Sequence, residues 1–147
     1  VVAGHSAGGH LTAMMQACRW REVGADLPPA LVQRALSISG VFDLEPLRRA
    51  PFLQVDLRLT PQTVRRWSPA GFPAPASGEL HLVAGALESE EFARQNRLLR
   101  RRWGAARVPT CAPVAGANHF TVLDSLARPD GQVHRLALGL LGLGEPR

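Results

Sequence analysis

The segment Gly4-His5-Ser6-Ala7-Gly8-Gly9-His10 sets a serine between two glycines at G-x-S-x-G spacing, where a short apolar run gives way to a helical pattern. A strand, a sharp turn and a helix in that order are what a nucleophile elbow requires. So tight a turn needs positions without side chains, and Gly4 and Gly8 supply them. The Ser6 hydroxyl is then lifted above the end of a sheet, at a helix N-terminus whose partial positive charge favours a developing anion. The backbone N–H of Ala7 is the first donor of an oxyanion hole.

A serine hydroxyl is a weak nucleophile without a base. Five histidines are available. His5 and His10 flank Ser6 too closely to reach its hydroxyl from the far side of an elbow. His81 falls within a strand and His134 within an amphipathic helix, and both read as structural. His119 follows the last strand in a Gly/Asn loop, at the carboxyl ends of the strands, where open α/β sheets carry their sites. It is the candidate base. The base needs an acid to orient it, and the expected order is Ser, acid, His. Glu88, just beyond the strand Leu80–Ala84, is the candidate. Glu90 and Glu91 compete because all three open the same helix, where a carboxylate can simply favour the helix start. Asp124 follows His119 and breaks the order. Ser6, Glu88 and His119 together would perform acyl transfer.

These residues need a scaffold that brings three distant segments together. Alternating strand and helix patterns predict an α/β fold with a mostly parallel sheet and helices on both faces. Val1–Ala3 reads as a strand end, and 7 to about 19 as a helix with Leu11, Met14, Met15 and Cys18 on its apolar face. Gly24–Pro29 is a loop, and Ala35–Ser39 a strand stopped by Gly40. The Pro-punctuated stretch 43–72 is irregular and reads as a lid or cap insertion, with one short helix capped by Thr60 and opened by Pro61. Phe42, Phe52 or Trp67 could line a pocket beneath it, although such side chains are more often core. Pro73–Gly78 is linker-like. Leu80–Ala84 is a strand and Ser89–Trp103 a helix with Phe92, Gln95, Leu99 and Trp103 along one face. Arg100-Arg101-Arg102 complements the dipole of its last turn. Val108–Val114 is the final strand, followed by helical segments near 120–127 and 132–141.

With 147 residues, 46% hydrophobic and 20% charged, the chain has the size and composition of one globular domain. Its net charge of +5 comes with no lysine, a single isoleucine and no tyrosine. That bias fits a GC-rich genome better than nucleic-acid binding, for which no groove-reading motif is present. No apolar run approaches the ~18–20 residues of a membrane span. Cys18 and Cys111 form neither a metal pattern nor a disulfide framework and read as buried small side chains in a reducing compartment. The chain opens on Val1-Val2-Ala3-Gly4, with no basic region or cleavage signal ahead of it. Because those residues already resemble the end of a strand, the expectation is a partial domain, 1–147, whose N-terminal portion is missing.

The residues also resemble a known family. Gly4-His5-Ser6-Ala7-Gly8-Gly9-His10-Leu11 is similar to the elbow of the kynurenine formamidase (arylformamidase) group and related small esterases of the α/β-hydrolase superfamily. Ile38 to Leu47 resembles the segment after the next strand, Ser68-Pro69 a Ser-Pro step, Glu88 to Gln95 the acid-bearing segment, and Asn118-His119-Phe120 the histidine loop. The resemblance implies an α/β-hydrolase fold, with Ser6, Glu88 and His119 as the triad and no metal or cofactor. It implies hydrolysis of N-formyl-L-kynurenine to L-kynurenine and formate, a small-molecule substrate in tryptophan breakdown, by a cytoplasmic and often homo-oligomeric protein. The chain departs from that pattern in having no His-Gly-Gly segment to provide a second oxyanion donor. Losing such a donor costs about 10²–10³ in turnover, so these residues alone are expected to be nearly inactive. A short-chain carboxylesterase and a non-catalytic remnant are the alternatives.

Overall fold

The computed structural model describes residues 1–144. Four strands form one parallel sheet in the order β1 (Val2–His5), β2 (Arg34–Ile38), β3 (Glu79–Gly85), β4 (Cys111–Val114). Helices α1 (Ala7–Ala17) and α2 (Trp20–Val23) link β1 to β2. Helices α3 (Glu45–Arg48), α4 (Pro51–Leu57) and α5 (Pro61–Trp67) link β2 to β3, and α6 (Glu90–Trp103) links β3 to β4. Helices α7 (Asp124–Ala127) and α8 (Gln132–Leu141) follow β4.

Parallel strands covered on both faces are apolar nearly throughout, and side chains alternate between the faces. Ala35, Leu80 and Leu82 pack with Ala13 of α1 and Leu99 and Trp103 of α6. Leu36, Ile38 and Val83 pack on the other side with Val122, Val133 and Leu140. The two cores place α1 and α6 on one face of the sheet and α8 on the other, as the alternating pattern predicts.

Helix α1 fully buries Gly9, Thr12, Ala13 and Gln16, while of the predicted face Met15 packs half-buried against the core and Met14 and Cys18 are half-buried. Leu11 is 56% exposed. The reason is the closeness of α1 to β2. A β-carbon on Gly9 would lie 2.6 Å from the Ser37 hydroxyl, so only small side chains fit that contact. Cys18 and Cys111 are likewise half-buried and free, not buried.

The stretch 43–72 contains α3 and α4 as well as the predicted α5. Pro46 and Pro51 punctuate it, but each sits in a first helical turn, where the missing N–H costs nothing. At α5 the Thr60 hydroxyl accepts from the Thr63 N–H while the Thr63 hydroxyl accepts from the Thr60 N–H, a reciprocal cap. These helices gather a small core of their own around Leu44, Leu59 and Val64. Phe42 is fully buried in the main core, whereas Phe52 and Trp67 are exposed.

Strand β2 ends at Ile38, one residue earlier than predicted, because Ser39 takes a left-handed conformation (φ 51°). Strand β4 begins only at Cys111, three residues after the predicted start at Val108. The 120–127 segment is a 3₁₀ turn, Thr121–Leu123, before α7. No helix among the described residues is long and apolar enough to cross a membrane.

Candidate active site

Ser6 occupies the turn between β1 and α1 at φ 57° and ψ −114°, a strained backbone for a residue with a side chain. Its N–H donates to the Ile38 carbonyl at 2.9 Å, and its carbonyl accepts from the His10 N–H at 3.0 Å. The turn therefore hangs from the end of β2 on one side and from α1 on the other. A β-carbon on Gly4 would lie 2.2 Å from the Gly8 carbonyl oxygen, so the predicted close approach requires glycine at position 4. It does not require it at position 8, where a β-carbon would enter open space. The crowded partner is the Gly8 backbone, and the second glycine demanded by packing is Gly9. Ala7, exposed, opens α1, and the first N–H groups of a helix have no intrahelical acceptor. The Ala7 N–H is one of these first helical donors.

Glu88 lies in the turn between β3 and α6. Its side chain is only 1% exposed, so each carboxylate oxygen needs a donor. Oε1 accepts from the Gly85 N–H and from the Ser39 hydroxyl, both at 2.6 Å, and Oε2 lies 2.7 Å from His119 Nδ1. The loop bearing His119 is tied to this turn by the Leu87 N–H, which donates to the Ala117 carbonyl at 2.9 Å. A β-carbon on Gly85 would sit 2.3 Å from that same carbonyl, so glycine permits the approach. Asn118 shapes the loop: its side-chain oxygen accepts from the N–H groups of Phe120 and Thr121.

His119 Nε2 lies 3.1 Å from the Ser6 hydroxyl oxygen. A carboxylate only accepts, so Nδ1 carries the proton and Nε2 presents its lone pair to Ser6. The imidazole packs against the rings of His5 and Phe92, with ring centroids 4.7 and 4.8 Å away. His5 Nε2 donates to the His119 carbonyl at 2.8 Å.

The structure thus brings Ser6, Glu88 and His119 into one hydrogen-bonded line. The competing acids lie elsewhere. Glu91 pairs with Arg94, whose hydrogen bonds hold its carboxyl below the usual carboxylate range, and it also accepts from Gln95. Glu90 is exposed, and Asp124 opens α7. The remaining histidines make structural contacts. His10 Nδ1 donates to the Val41 carbonyl, and burial pushes its pKa down. His81 bonds the Thr110 hydroxyl and is also lowered by burial, and His134 donates to the Leu126 carbonyl. Sequence reasoning missed Ser39 and the grip of His5 on the His119 carbonyl. The only signal for Ser39 was its place at the carboxyl end of an inner strand. Among the described residues no group of three or more His, Cys, Asp or Glu side chains is placed to hold a metal ion.

No family model matches the chain. It is 26% identical over 147 residues to a kynurenine formamidase of Danio rerio, covering 96% of the chain and 49% of that protein. A solved structure from Silicibacter sp. TM1040, provisionally assigned as a thioesterase, superposes with a TM-score of 0.74 and 29% identity over 90% of the chain and 48% of its own. A hyperthermophilic esterase of Pyrobaculum calidifontis superposes with a TM-score of 0.62 and 19% identity over 97% of the chain and 51% of its own. The chain spans about half the length of the relatives it matches. With the parallel sheet and the turn at Ser6, these likenesses place the chain in the α/β-hydrolase superfamily, among folds of the esterase type.

Proposed function

We propose that the protein is a serine hydrolase of small acyl substrates, of the carboxylesterase kind, with Ser6 as nucleophile, His119 as general base and Glu88 as its orienting acid. One observation carries this reading: the line from the Ser6 hydroxyl through His119 to Glu88, at 3.1 and 2.7 Å, with the basic nitrogen facing the hydroxyl. His119 Nε2 takes the Ser6 proton as Oγ attacks the acyl carbon. The Ala7 N–H stabilises the oxyanion. The tetrahedral intermediate collapses, and the imidazolium returns its proton to the leaving alcohol. Water then repeats the steps on the acyl-enzyme. Glu88 holds the imidazole in the useful tautomer. In this reading helices α3 to α5, which share a small core of their own, are the cap of the domain.

A second reading is an aryl formamide substrate, N-formyl-L-kynurenine, in which the leaving group is an aryl amine. It is favoured by the name of the Danio rerio relative and by the sequence resemblance over the elbow, acid and histidine segments. The esterase-type folds favour the broader activity. In the whole protein the two separate on kcat/KM for N-formyl-L-kynurenine against p-nitrophenyl acetate, with Ser6→Ala as the blank. Ester turnover lost in Ser6→Ala is the expected result. A strong preference for the formamide would establish the second reading, and turnover surviving Ser6→Ala would overturn both.

A further inference from the structure

The last two residues of β2, with Ser39 just beyond them, touch the nucleophile turn and the acid of the candidate site. The Ser37 hydroxyl donates to the Gly9 carbonyl of α1 at 2.9 Å, Ile38 accepts the Ser6 N–H at 2.9 Å, and the Ser39 hydroxyl donates to Glu88 Oε1 at 2.6 Å. The first two contacts fix the nucleophile turn. The third fixes the acid, from the residue that follows a strand carrying neither nucleophile nor base.

Ser39 is an unusual place for a serine. It is fully buried, and its φ of 51° falls in a region that side chains enter at a cost. Its N–H donates to the Val83 carbonyl of β3 at 2.8 Å, so the conformation is locked into the sheet. That backbone turns the hydroxyl away from the α1 face, where Ser37 points, and towards the turn bearing Glu88. Without Ser39, Oε1 keeps one donor, the Gly85 N–H. A carboxylate held at one point on Oε1 can rotate, and rotation carries Oε2 away from His119 Nδ1.

We propose that Ser39 is a positioning residue for the hydrolytic reaction, acting through Glu88 to hold the His119 imidazole in line with Ser6. The proposal rests on the reading of Ser6, Glu88 and His119 as the reacting set. Ser39 touches neither the nucleophile nor the substrate, so its removal lowers kcat and leaves KM unchanged. A displacement of the base by about 1 Å can cost up to about 100-fold.

The test uses Ser39→Gly, which adopts the positive φ freely, and Ser39→Ala, which keeps the methylene and loses only the hydroxyl. Two readouts are taken on each in the whole protein: the kcat against KM split on p-nitrophenyl acetate, and the proton NMR resonance of the His119 Nδ1–H bonded to Glu88. Because the resonance needs no turnover, it reports on Ser39 even if Ser6→Ala shows that the hydrolase reading is wrong. The expected result is a fall in kcat of tenfold or more at constant KM, with the Nδ1–H resonance shifted or broadened in both variants. A merely structural serine would lower thermal stability and leave the resonance of the folded fraction in place. An unmoved resonance with kcat within twofold of the parent in either folded variant overturns the proposal.

Discussion

At Gly4 a side-chain carbon would lie 2.2 Å from the Gly8 carbonyl oxygen, closer than any real contact, and the obstacle is backbone that cannot swing aside. At Gly8 the same carbon meets nothing within 4 Å. The two glycines of one motif therefore answer differently to the same substitution. Gly4→Ala should cost roughly 2–4 kcal/mol, in the range of changes that force the backbone to move. Gly8→Ala should be neutral or stabilising by up to about 1 kcal/mol, since alanine is the better helix former. Denaturant unfolding of both variants checks this, and equal destabilisation would mean that the elbow is tighter at Gly8 than its geometry indicates. The same contrast explains which residues were legible in the sequence. Ser6, Glu88 and His119 stand out by residue type and by their order relative to strands and turns. Ser39 does not, because its place in the site depends on a φ of 51° and on a contact made 49 positions along the chain. Gly9 does not either, because a glycine needed for helix–sheet contact looks like one needed for a turn.

Among the elements, α6 does two things at once. It packs Leu99 and Trp103 into the core beneath the sheet, and it grips the chain leaving β2. Buried Gln95 accepts the N–H groups of Phe42 and Asp43, both at 2.8 Å, and donates to the Asp43 carbonyl and to Glu91. This one side chain joins the start of the α3–α5 segment to the helix that begins two residues after Glu88. Replacing it with leucine fills similar space but strands two backbone donors, one of them fully buried. At about 1–3 kcal/mol for each buried unsatisfied donor, Gln95→Leu should lower stability by roughly 2–4 kcal/mol. The denaturation midpoint should fall with an unchanged slope, and a loss below about 1 kcal/mol would show that water replaces the amide. The helical period of α6 was readable because its buried stripe is continuous, and Gln95 fell on that stripe although it is polar. The period of α1 pointed the wrong way. Amphipathicity assigns the large apolar side chains to the core, whereas α1 fully buries Gly9, Thr12, Ala13 and Gln16 and leaves Met15 half-buried at its edge. Helices α3 and α4 were hidden by prolines that open them.

Across the whole molecule, the sheet is covered on both faces but not along both edges. Among the described residues β1 pairs with β2 on one side only, and Ala3 and Val1 are exposed there. Nearby, α1 presents Leu11 to solvent. A strand edge with unpaired N–H and C=O groups is a template for another strand. Four residues, Val2–His5, make up this edge, and Ser6 follows it directly. Pairing at the edge and order at the elbow are therefore linked: whatever satisfies β1 also steadies the turn that holds Ser6. For these 147 residues in isolation the available partner is a second copy, so the chain should self-associate as its concentration rises. A lysine on the edge opposes such pairing, because its charge cannot be covered by an incoming strand. Ala3→Lys is suited to the test because Ala3 is exposed and belongs to neither core cluster. Sedimentation velocity of the parent chain should show species larger than a monomer, and Ala3→Lys should return the population towards monomer. If the proposed oxyanion donor is the Ala7 N–H alone, a fluorophosphonate probe should label Ser6 slowly in both. A parent chain that remains monomeric at high concentration would mean that β1 is protected within these residues. Rapid labelling of that monomer would mean that the site needs no further donor.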